Sequence, residues 1–65
     1  MDKEKIGRKL IALRGNKTQK EVADALGVTT MAVSQYERGA RIPNDTIKIK
    51  IADYYHETVG SIFFE

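Results

Sequence analysis

Thr18-Gln19-Lys20-Glu21-Val22-Ala23-Asp24-Ala25-Leu26-Gly27-Val28-Thr29-Thr30-Met31-Ala32-Val33-Ser34-Gln35-Tyr36-Glu37-Arg38-Gly39 is the stretch on which the fold turns. Thr18 and Glu21 have the spacing of a capping box, in which the hydroxyl serves the third amide of a helix and the carboxylate reaches back to the cap amide. Val22, Ala23 and Leu26 then share one face until Gly27 interrupts the pattern. Gly27-Val28 leaves room only for a tight turn, after which Thr29 is placed to cap a second helix with Val33 and Tyr36 facing inward. Gly39 closes that helix, since glycine takes up the left-handed conformation that ends helices.

Working outward, Ile6, Leu10 and Leu13 fall at i, i+4 and i+7 and predict a helix from Lys3 to Leu13, ended by Gly15-Asn16. Downstream, Pro43 closes a loop and Asn44 can cap a helix to Tyr55. Ile47-Lys48-Ile49-Lys50-Ile51 alternates with the period of a strand, but a lone strand would have no partner, and Ile47, Ile51, Tyr54 and Tyr55 also fit one helical face. Thr58 can cap a last short turn through Phe64. The expectation is an all-α chain of five short helices, residues 1–65 forming a single domain.

Composition limits what such a chain can do. At 65 residues and 7.3 kDa it buries only about 60% of its unfolded surface, so a multi-domain enzyme is excluded. With no cysteine and a single histidine, His56, neither a thiolate nucleophile nor a metal centre can be assembled, and no cofactor is implied. Ser34 and Ser61 have no base partner, and the acids show no catalytic pairing. No small-molecule substrate is therefore expected. The uncharged stretch from Leu26 to Tyr36 is too short and polar to span a bilayer, and the first residues lack a signal sequence, so the reading is cytoplasmic with no membrane role. Net charge is +2, unevenly spread: residues 1–20 carry net +5 and residues 21–65 net −3. The N-terminal third can therefore attract phosphate.

Two helices joined by a short glycine-containing turn make a helix-turn-helix, here about residues 18–38, whose second helix can enter the DNA major groove. Ala23 supplies the small residue where the helices cross. From Gln19 to Gly39 the chain resembles the Cro/phage-repressor (XRE) family of helix-turn-helix regulators. Thr18-Gln19, Val22-Ala23, Leu26-Gly27-Val28-Thr29, Val33-Ser34 and Tyr36-Glu37-Arg38-Gly39 carry the likeness, and the flanking helices extend it over nearly the whole chain. Departures are a shorter loop between Arg14 and Thr18, Lys48 at a place often apolar in the family, and His56 in place of a helix-ending glycine.

The resemblance implies a lambda-repressor-like fold and sequence-specific binding of double-stranded DNA, most naturally as a repressor of bacterial or phage origin. Gln19 matches a glutamine that bonds a DNA phosphate and braces the next helix, and Arg14 with Glu37 match a partly buried ion pair. Because Val33 and Tyr36 claim the inward face, Thr30, Met31, Ser34 and Gln35 are the candidate base contacts, and Gln35 can pair bidentately with adenine. Lys17, Gln19, Thr29, Arg38 and Arg41 are the candidate backbone contacts. Lys3, Lys5, Lys9 and Lys20 read as solubilising charges. Ile62, Phe63 and Phe64 crowd a short segment, and an exposed member of this group would mark a homodimer interface matched to a palindromic operator. The alternative is a protein-interaction module that keeps the fold without binding DNA.

Overall fold

The computed structural model describes residues 1–65 and contains five helices: α1 (Lys3–Arg14), α2 (Gln19–Leu26), α3 (Thr30–Glu37), α4 (Asp45–Tyr55) and α5 (Val59–Phe63). Each begins on a side-chain cap, because the first amides of a helix have no partner within it. Asp2, Thr18, Thr29, Asn44 and Thr58 fill that role, with Thr18 Oγ1 accepting from the Glu21 amide and Asn44 Oδ1 from the Ile47 amide at 3.0 and 2.9 Å. The Asn44 cap commits the alternating isoleucine run to a helix.

One apolar cluster joins all five helices: Ile6 and Leu10 from α1, Val22, Ala23 and Leu26 from α2, Ala32, Val33 and Tyr36 from α3, Ile51 and Ala52 from α4, Ile62 and Phe63 from α5. Helices α1 and α2 both pack on α3, α4 meets α2 and α5, and α5 returns to α1. Gly27 makes the turn between α2 and α3 at φ 72°, and the Val28 amide reaches the Ala23 carbonyl at 3.0 Å. A left-handed residue costs an ordinary side chain conformational strain, which glycine avoids.

The closest approach in the core lies elsewhere. A Cβ on Gly7 would stand 2.3 Å from the Glu37 carbonyl oxygen, so α1 and α3 touch backbone to backbone. A glycine inside a helix costs roughly 0.5–1 kcal/mol relative to alanine, and here that cost accompanies a contact no other residue permits. His56 ends α4 at φ 58°, doing with a side chain what glycine does elsewhere. Histidine is among the residues that tolerate this region best.

The C-terminal segment requires three corrections. Ile62 and Phe63 are each 2% exposed and belong to the core, so they leave only Phe64, at 65%, for an interface. A five-residue helix lying against α1 and α4 buries two consecutive side chains in the groove between them. Lys9 is not a free charge either: its ammonium donates to the Ser61 carbonyl at 2.8 Å and the Glu65 carbonyl at 3.0 Å, tying the chain end to α1. Lys48 takes an inward place on α4 while Ile47, Tyr54 and Tyr55 are half-buried. Its stem is covered, and its ammonium sits 5.8 and 5.4 Å from the ring centres of Phe63 and Phe64.

Candidate nucleic-acid interface

Helix α3 is the element on which the site rests. Val33 and Tyr36 are buried at 3% and 4%, which turns Thr30 and Met31 outward and leaves Ser34 and Gln35 half-buried beside them. Met31 is 69% exposed, the highest value among the large apolar side chains. Burial of a thioether stabilises a fold, so a methionine held in water at a helix tip is available to another surface.

Beneath this face a polar network fixes where α3 lies. The Glu37 carboxylate is buried, accepting from Arg14 Nε at 2.7 Å on Oε2 and from Gln19 Nε2 at 2.9 Å on Oε1. Three helices are therefore pinned at one carboxylate: α1 through Arg14, α2 through Gln19 and α3 through Glu37. Arg14 also donates to the Lys17 carbonyl at 2.8 Å, which ties down the loop into α2. The hydrogen bond to Glu37 raises the Arg14 pKa above its ordinary value, outweighing desolvation, so the guanidinium stays charged. Nearby, burial pushes the Tyr55 phenol up to about 12, and the negative charge of Glu37 adds to the effect. Arg14 supplies the opposite charge to Glu37 beneath the α3 face, and Gln19 satisfies the second oxygen.

The flanks of α3 carry donors. Thr29 Oγ1 accepts from the Ala32 amide at 3.0 Å, which leaves its own proton to donate outward. Gln19 Nε2 has one hydrogen on Glu37 and a second free. Lys17, Arg38 and Arg41 are exposed. Arg41 lies 5.6 Å over the Tyr36 ring and places Nη1 3.4 Å from Gln35 Oε1. Thr30, Met31, Ser34 and Gln35 thus share the outer face of one helix, with Thr29 at its start, Arg38 and Arg41 beyond its end, and Gln19 bonded to Glu37 in its last turn.

Sequence reasoning missed Gly7 and Lys9. An isolated glycine one residue past Ile6 inside a helical pattern signals a close approach and could have located the α1–α3 contact. The Lys9 bonds carry no local signal, because their partners lie more than fifty residues away.

The helix-turn-helix family model matches residues 8–61, which takes in all of α2, α3 and α4. This chain belongs to the XRE-type helix-turn-helix family. The family is one of DNA-binding transcription regulators and is not an enzyme family, and the five helices without strands have the lambda-repressor-like all-α fold. No curated protein matches this helix-turn-helix chain significantly. Its side chains form no group of three or more potential metal ligands, and no helix is long and apolar enough to cross a membrane.

Proposed function

We propose that this helix-turn-helix protein recognises a specific double-stranded DNA sequence by laying residues 29–37 in the major groove, and that it acts in the cytoplasm as a repressor. One observation carries the reading: α3 keeps an outer face that the other four helices leave uncovered, bracketed at both ends by exposed donors. Thr30, Met31, Ser34 and Gln35 are the base contacts. Gln35 pairs with adenine through its amide, an interaction worth roughly 1–3 kcal/mol of discrimination, while Met31 and Thr30 pack on thymine methyl groups. Lys17, Gln19, Thr29, Arg38 and Arg41 hold phosphates, and amides at the starts of α2 and α3 add to that grip.

The active form is a homodimer on a palindromic site. Phe64, with two-thirds of its surface in water, is the apolar group that the pairing covers. A two-fold axis places the two α3 helices one DNA turn apart, about 34 Å. Residues 1–65 then act as one DNA-binding domain, and repression is occupancy of the site.

Fluorescence anisotropy with a random pool of duplex DNA, titrated from low to physiological salt, tests this reading. About five phosphates neutralised per dimer give a slope of log affinity against log salt of roughly −4 to −5. Absence of binding at low salt overturns the reading and leaves a protein-interaction module.

A further inference from the structure

The chain after α3 does not simply lead away from it. The Gly39 amide bonds the Tyr36 carbonyl at 3.2 Å and the Ala40 amide bonds the Gln35 carbonyl at 2.9 Å, with Gly39 at φ 72°. This closure folds the backbone of residues 39–41 against the last turn of α3, so Arg41 starts from a fixed place. Its guanidinium then stacks 5.6 Å over the ring of Tyr36, a residue only 4% exposed and hence itself immobile. From that anchored position Nη1 points at Gln35 Oε1 at 3.4 Å. The contact is long for a hydrogen bond, but its donor is charged and its acceptor is the neutral amide oxygen.

We infer that Arg41 is a positioning residue for base reading: it holds the Gln35 amide with its carbonyl oxygen toward the end of α3, so that the side chain presents a fixed acceptor-then-donor order. The consequence follows from the base edges. Adenine offers an acceptor at N7 and a donor at N6, which an oriented glutamine amide matches with both of its groups. Guanine offers two acceptors, which suit only an amide free to turn its NH2 group toward both. A clamped amide oxygen retains its second lone pair for the adenine N6 donor and rejects the guanine O6 acceptor. Arg41 therefore sharpens adenine over guanine at the position under Gln35, in addition to any phosphate it meets.

This inference rests on the DNA-reading function proposed above, and its test separates the two. The probe is the duplex selected from a random pool by the wild-type protein, together with its variants at the base pair sensitive to Gln35→Ala. Arg41→Lys keeps the charge but lacks the planar fork and the stacking on Tyr36. It should lower the adenine-over-guanine preference at that one pair by about threefold or more, with the salt slope unchanged. In a Gln35→Ala background the same change should do nothing to that preference. Without DNA, the side-chain NH2 resonances of Gln35 should show greater nanosecond motion in Arg41→Lys than in wild type. An unchanged preference, a uniform loss on every sequence, or an equal effect of Arg41→Lys in both backgrounds overturns the inference while leaving the DNA-reading function standing. A wild-type protein that selects no duplex at all overturns both.

Discussion

Glu37 and Lys48 are the two charged side chains that this molecule takes into its interior, at 6% and 8% exposure, and they are held in different ways. The Glu37 carboxylate is short and cannot reach water from the α1–α3 seam, so each oxygen has a donor from a different helix. The Lys48 ammonium rides on a four-carbon stem at the C-terminal pole. Its only ionic partner is Asp45, at 3.5 Å and 97% exposed, and its cover is two aromatic rings. Partners that converge on a buried charge from separate elements tie those elements to one another. Glu37 in the seam beneath α3 has such partners and Lys48 at the pole does not, so we expect the placement of α3 to depend on Glu37 and not on Lys48.

The sharpest way to break this contrast is Glu37→Ala. It orphans Arg14 and Gln19 and leaves a void at the meeting of three helices, and we expect a loss of about 3 kcal/mol in urea denaturation, near the lower bound for a broken buried pair because Arg14 keeps some contact with water. Glu37→Gln, which keeps the shape and one acceptor, should lose less. Equal losses for the two would mean that volume, and not pairing, matters at the seam.

Gly7→Ala tests the same seam without touching a charge. The added methyl meets the Glu37 carbonyl, and neither backbone can yield without moving α1 away from α3. The expected destabilisation is about 2 kcal/mol, the gain in helix propensity being smaller than the overpacking cost. Affinity for duplex DNA should fall in the same variant once it is corrected for folded fraction; unchanged stability would show that the two helices part easily.

At the pole the corresponding cut is Lys9→Met, which keeps the stem and removes the two carbonyl bonds. Its expected cost is about 1 kcal/mol. Amide exchange should quicken in residues 61–65 and stay unchanged in α3, which reads the independence of the two regions directly. Quickening in α3 as well would mean that the pole and the seam open together.

A smaller effect comes from Tyr55, whose phenol lies near Glu37. Its pKa is raised from 10.0 to about 12 in the folded protein, so the native state holds the proton more tightly than the unfolded chain. Stability from this group is complete below pH 10.0 and declines as pH rises from there towards about 12. The difference between wild type and Tyr55→Phe isolates it from other high-pH titrations. A difference independent of pH over that window would mean that Tyr55 gains no proton affinity on folding.

The fold was legible because each helix start carries a local signal: the Thr18–Glu21 spacing, Thr29 after Gly27, and Asn44 after Pro43 all act within a few residues. The candidate contact residues were legible as a helical face, since Val33 and Tyr36 leave only one side of α3 free. What escaped was set by distance along the chain. Gly7 meets Glu37 thirty positions away and Lys9 meets the far terminus, and no periodicity encodes either contact. Ile62, Phe63 and Phe64 are more apolar groups than one turn can bury, with Phe64 the natural one to stay outside, and the structure has Ile62 and Phe63 in the core against α1 and α4 and Phe64 exposed.

Lys48→Met is the smallest expected effect and the most informative about the pole. Methionine has the length and helix propensity of lysine, so the stem contacts persist. The substitution removes the desolvation cost of the ammonium and also its attraction to the rings of Phe63 and Phe64, about 0.5–1 kcal/mol for a cation over an aromatic face. With no short ion pair to lose, these contributions nearly cancel, and stability should stay within about 0.5 kcal/mol of wild type. At protein concentrations where the dimer is fully formed, DNA affinity and its salt slope should be unaltered, because a charge turned toward the C-terminal rings is not at the α3 face. A loss above about 2 kcal/mol, in the range of a disrupted buried charge network, would place Lys48 on a par with Glu37 and remove the asymmetry between seam and pole.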